Sequence, residues 1–145
     1  MKGGKTSHLI TNKFPFEEMP KDGKILDYFI ENGRIKGING QRNLDFVINE
    51  AGELVIGKRH HLLGNAKDVL AAGQLKLNGK GIIKRIDNLS GHYRPTVEEA
   101  MASPQLLRNL GLDLDKTWVE FYNIEANNSG YIKKTLKAYV KMLKD

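Results

Sequence analysis

Apolar positions follow two different periods along this chain. Leu44, Phe46 and Ile48 alternate with other residues, and so do Leu54 and Ile56. Asn49-Glu50-Ala51-Gly52 between them is turn chemistry, so the stretch reads as a β-hairpin. Leu75 and Leu77 alternate with Gln74 and Lys76, Asn78-Gly79 supplies a tight turn, and Ile82, Ile83 and Ile86 continue a return strand to Asp87-Asn88. Trp118-Val119-Glu120-Phe121-Tyr122 is a run of aromatic and branched residues, hence a strand. Helical spacing sets in elsewhere. Ile25, Leu26, Tyr28, Phe29 and Ile30 predict a helix over 24–31 that stops at Asn32-Gly33. Ile132, Leu136, Tyr139, Val140 and Leu143 form a helical stripe among Lys133, Lys134, Lys137, Lys141 and Lys144. Thr96-Val97-Glu98-Glu99 has the capping-box form of a helix start. Pro104 then forces a restart, with Ser103 as cap, and Gly111 ends the second helix. Asp68 to Gly73 stays unassigned, and Asn127-Asn128-Ser129-Gly130 reads as loop.

These elements give an α+β class: an antiparallel sheet built from hairpins, packed by N-terminal and C-terminal helices. Residues 1–13 are Gly- and Lys-rich without periodicity, and read as a flexible lead-in or a segment that docks late. Residues 14–145 read as one domain, large enough to bury a core. No apolar run approaches the roughly 18 residues of a membrane span. The first 13 residues hold no signal-peptide core, which leaves open that the chain is a piece of a larger secreted protein.

Composition narrows the chemistry. With no cysteine, disulfides, thiolate catalysis and zinc–thiolate sites are excluded. Lys and Arg number 23 against 17 Asp and Glu, a net charge of +6. That excess favours an anionic partner such as a nucleic acid, a nucleotide or an acidic protein, although a solvated basic surface gives the same sum.

The residues richest in chemistry are Ser90-Gly91-His92-Tyr93-Arg94-Pro95-Thr96, between a predicted strand and a predicted helix. His60-His61 lie upstream at the end of another apolar run, behind Lys58 and Arg59. Imidazole both takes and gives a proton near neutral pH, as RNA cleavage requires of its base and acid. His61 and His92 are the candidate pair, and Arg94 or Lys58 would stabilise charge on phosphorus. Each histidine has an alternative as a structural residue bonded to a turn carbonyl. On an extended strand His60 and His61 face opposite sides, and His61 is the choice for the site. Tyr93 either stacks on a base or belongs to the core. Arg94 either forks a phosphate or pairs with Glu98 or Glu99. Thr96 is either a cap or a substrate contact, and Asp87 either orients His92 or is a turn residue. No metal-ligand spacing, phosphate loop or dinucleotide glycine pattern occurs, so no metal and no cofactor is expected.

Gly57-Lys58, His60-His61-Leu62-Leu63-Gly64, Ala71-Ala72-Gly73 and Ser90 to Thr96 together resemble a module of known proteins, over about a third of the chain. It is similar to the C-terminal toxin region of bacterial polymorphic toxins of the Rhs and contact-dependent-inhibition kind. It is also similar to plant IQ-motif calmodulin-binding proteins. The related form more often has His-Ser where this chain continues with leucine. The bacterial resemblance implies a secreted domain delivered into the cytoplasm of a target cell, and an acidic cognate immunity protein as partner. The expectation is a metal-independent ribonuclease. His61, His92 and Arg94 would be catalytic, and Lys58, Arg59, Tyr93 and Thr96 would contact RNA. Two alternatives stand beside it. One is an ADP-ribosyltransferase or other NAD-consuming toxin, with Glu120 as its acid. The other is a non-enzymatic binding module.

Overall fold

The computed structural model describes residues 8–126 and 132–144. In chain order the elements are β1 (Lys24–Ile25), β2 (Phe29–Glu31), β3 (Arg34–Lys36), β4 (Asn43–Ile48), β5 (Leu54–Lys58), α1 (His60–Leu63), β6 (Ala71–Leu77) and β7 (Ile83–Asp87). After them come α2 (Val97–Ala100), α3 (Ser103–Asn109), β8 (Trp118–Ala126) and β9 (Ile132–Met142). The class is α+β, with much sheet and little helix. Seven strands form one sheet in the order β1-β5-β4-β6-β7-β8-β9, and β2-β3 is a separate hairpin.

Both hairpins expected from the alternation are present. Val47 sits opposite Val55 across β4–β5, and Leu75 opposite Ile86 across β6–β7. The first turn is closed by Asn49, whose side-chain oxygen accepts the Glu53 N–H at 2.9 Å. The second is longer than a two-residue Asn-Gly turn. Asn78 Oδ1 accepts from Lys80 and Ile82, and Gly81 takes the positive φ of 82°. Ala71, Ala72 and Gly73, unassigned from the pattern, begin β6.

Three expectations are corrected. Residues 24–31 form no helix. Asn32 and Gly33 take φ of 53° and 77°, the conformation of a two-residue hairpin turn, which pairs β2 with β3 instead of stopping a helix. No C-terminal helix forms either, since 132–142 is the long strand β9, antiparallel to β8. Branched and aromatic residues in β9 suit a strand, and β8 gains a full ladder partner that a helix would not supply. Nor is the sheet antiparallel throughout. β7 and β8 run parallel, so a crossover must join them, and it carries α2 and α3. The capping box at Thr96 and Glu99 is formed as expected. α3 differs in detail, because Ala102 occupies the cap and the buried Ser103 hydroxyl has no partner among the described residues. The expected loop at Asn127 to Gly130 lies outside the described residues.

The main core collects Leu44, Phe46, Ile56, Leu75, Ile86 and Phe121 from the sheet with Ala100 and Leu107 from the helices. Side chains alternate across a strand, so Val47 and Ala72 point to the opposite face. There they meet a second, smaller core of Ile10, Leu63, Val69 and Tyr93. The segment read as a flexible lead-in or late-docking stretch contributes Ile10 to this second core. Ile10 bridges to Val69, Asn12 is buried, and residues 1–7 lie outside the described residues. No helix among the described residues is long and apolar enough to cross a membrane.

Candidate functional site

Three segments meet on the second face of the sheet: the 10–17 strap, α1, and the turn 90–94. Arg59 has a φ of 79°, which turns the chain out of β5. His60-His61-Leu62-Leu63 then make one helical turn, where the sequence pattern shows only a strand end. On the far side, Tyr93 is wholly buried in the small core, and its hydroxyl donates to the Lys67 carbonyl at 2.5 Å. His92 and Arg94 flank that anchor.

The two histidines that lie 31 positions apart in sequence stack on each other. Their ring centroids are 4.8 Å apart and the planes are inclined by 27°. His61 is only 1% exposed, and both ring nitrogens are engaged. Its Nε2 donates to the Glu17 carbonyl at 2.6 Å, and its Nδ1 lies 3.1 Å from Asn12 Nδ2. The tautomer follows from the partners. The Phe14 N–H donates to Asn12 Oδ1 at 2.8 Å, so the other Asn12 atom is the amide nitrogen, which only donates. His61 Nδ1 is thus placed to accept and Nε2 to donate.

His92 is different. Its side chain is 19% exposed, and its Nε2 sits 3.1 Å from the Glu17 carboxylate. No partner is found for its Nδ1 among the described residues. Burial lowers its pKa below the ordinary 6.5, while Glu17 opposes that. The Phe14 ring meets His92 edge-on at 5.7 Å, and the Arg94 guanidinium lies over the same Phe14 ring at 5.0 Å. Arg94 holds a φ of 41° and donates Nε to the Gly91 carbonyl at 3.0 Å. The Lys13 N–H donates to the His92 carbonyl, and its ammonium to the Tyr93 carbonyl, both at 2.8 Å. Burial lowers the Lys13 pKa. Glu99 and Asp68 oppose that, and the nearby Arg94 cation adds to it. Two cations therefore stand close enough to repel each other beside an imidazole whose Nδ1 is open.

The other expected site residues lie elsewhere. Tyr93 is a core residue with no face for a base. Thr96 spends its hydroxyl on the Glu99 N–H at 3.0 Å. Lys58 is exposed at the end of β5 opposite Lys24, and Arg59 pairs with Asp22 at 3.6 Å. His60 is buried, donates Nε2 to the Gly73 carbonyl at 2.7 Å, and lies 3.9 Å from Asp45. Burial lowers the pKa of His60, against Asp45 and that carbonyl. Asp87 does not orient His92. Its Oδ1 accepts the N–H groups of Gln74 at 2.9 Å and Leu89 at 3.0 Å. Glu120 belongs to a separate group, 3.2 Å from both the Lys137 ammonium and the Tyr122 hydroxyl.

Sequence reasoning missed Asn12, Lys13, Phe14 and Glu17. Their only signal is the aromatic pair Phe14 and Phe16 around Pro15, an apolar patch outside any periodic element. No family model, no curated protein and no solved structure matches this chain.

Proposed function

We propose that this domain cleaves RNA without a metal ion, as a toxin delivered into the cytoplasm of a target cell and neutralised by an acidic immunity protein. The observation that carries the reading is His92, with Glu17 on one nitrogen, the other open, and Lys13 and Arg94 beside it. Glu17 fixes the proton on Nε2, so Nδ1 holds the lone pair that takes the proton of a ribose 2′-hydroxyl. The 2′-oxygen attacks phosphorus and the 5′-oxygen leaves, giving a 2′,3′-cyclic phosphate. Arg94 and Lys13 stabilise the charge on the phosphorane, and the Lys13 ammonium supplies the proton to the 5′-oxygen. His61 is a positioning residue here, not a second acid or base, because neither of its nitrogens is open.

The test uses purified protein, single-stranded RNA and EDTA. Cleavage to a cyclic phosphate should persist with EDTA, and His92→Ala should lower the rate by about 100-fold or more, the range of general-base contributions. The base must be neutral, so the rate falls at low pH, with the acid limb below 6.5. An inactive His61→Gln protein would restore the two-histidine mechanism. Consumption of NAD that depends on Glu120, with RNA left intact, would replace the ribonuclease reading by the transferase one.

A further inference from the structure

Phe16 is 99% exposed, the most open large apolar side chain among the described residues. A single exposed apolar residue is ordinary on a protein surface. What sets Phe16 apart is how its backbone is held. Phe14, two residues before it, has its ring against His92 and its N–H on Asn12. Glu17, immediately after it, accepts from His61 through its carbonyl and from His92 through its carboxylate. The Glu17 N–H closes the turn onto the Phe14 carbonyl at 3.2 Å. The Phe16 Cα is therefore fixed roughly 3.8 Å from that of Glu17. An aromatic ring stands free on a turn both of whose ends touch the proposed catalytic histidine.

We infer that Phe16 is the stacking platform for a nucleobase of the RNA substrate next to the cleaved phosphate. The inference rests on the ribonuclease reading and adds to it the part that grips the base. Single strands are bound by aromatic faces beside cations that follow the backbone, and every base offers a face to stack on. The cations Lys13 and Arg94 are here, and the only ring of this site that is neither buried nor packed is Phe16. Because the turn is tied down before substrate arrives, little ordering cost is left for binding. An unpaired single strand fits this arrangement better than a duplex, whose bases are already stacked on each other.

Binding and cleavage tests separate the two readings. A labelled single-stranded RNA is titrated at fixed salt into His92→Ala protein carrying Phe16, or Phe16→Ala, Phe16→Leu or Phe16→Trp. Phe16→Ala and Phe16→Leu should weaken binding about 5- to 150-fold, the range that base–aromatic stacking spans. Phe16→Trp should hold RNA at least as tightly, and RNA should quench the added indole fluorescence. Melting temperatures should stay level, since the ring packs against nothing. If Phe16→Leu binds like the parent, or Phe16→Ala loses less than twofold, the stacking role is wrong even though cleavage by the parent stands. If the parent neither binds nor cleaves RNA, both readings fall. If Phe16→Ala loses only the grip of an acidic protein, the ring is a protein contact and the inference fails.

Discussion

Asn12 ties two distant parts of the chain together with one side chain. Its oxygen takes the Phe14 N–H and its amide faces His61, so a residue outside any regular element orients a ring 49 positions away. Asp87 shows the converse, a charge held where burial disfavours it. Its pKa is pushed up to about 6 by burial, against its two backbone N–H bonds and Arg85. A carboxyl whose folded pKa is raised binds a proton that the unfolded chain gives up. Its contribution therefore favours the fold at low pH and is lost as pH rises toward about 6. Asp87→Asn keeps an oxygen for both N–H groups and removes the charge. It should gain about 1–3 kcal/mol at pH 7.5 and show little difference near pH 3, below the unfolded pKa, in urea melts. Equal differences at both pH values would mean that the charge is not the cause. At this scale the candidate chemistry was half legible. His61, His92 and Arg94 advertise themselves by residue type. Glu17 and Lys13 do not, because their roles come from contacts across 75 and 80 positions.

Between elements, α1 and the 90–94 turn are joined by a close approach at Gly64. A Cβ there would collide with the Tyr93 hydroxyl. Tyr93 lies between His92 and Arg94, so pressure on its ring moves both. Gly64→Ala should lower stability by about 1–3 kcal/mol, the usual cost of overpacking, and slow the proposed RNA cleavage as well. Gly52→Ala is the control. It has a φ of 85° but open space around it, so it should lose stability through its backbone alone and leave cleavage unchanged. A Gly64→Ala protein with normal melting and normal cleavage would show that the contact is unimportant. Elements were readable wherever alternation and a turn agreed, as in β4–β5 and β6–β7. They were misread wherever a few large apolar residues fell by chance at helical spacing. In β9, Leu136 and Val140 fit a helical stripe four apart, yet both are exposed on a strand. The parallel pairing of β7 with β8 had no local signature, since it joins strands 30 residues apart in sequence.

For the whole molecule, the net charge of +6 shapes how any partner arrives. The proposed acidic immunity protein should associate fast at low salt. Its association rate should fall steeply along a rising salt series while its dissociation rate changes far less, as stopped-flow mixing would show. A salt-independent association rate would remove the charge argument for that partner. The sheet order places this charge in one more setting. β9 ends the sheet, so among the described strands its outer side has no neighbour. An open strand edge of this length is a template on which a second copy could lay its own β9 and begin a fibre. Two such edges would bring the exposed Lys141 of one copy toward that of the other. Like charges at that approach oppose the pairing, so the surplus that suits an anionic ligand also guards the protein against its own aggregation.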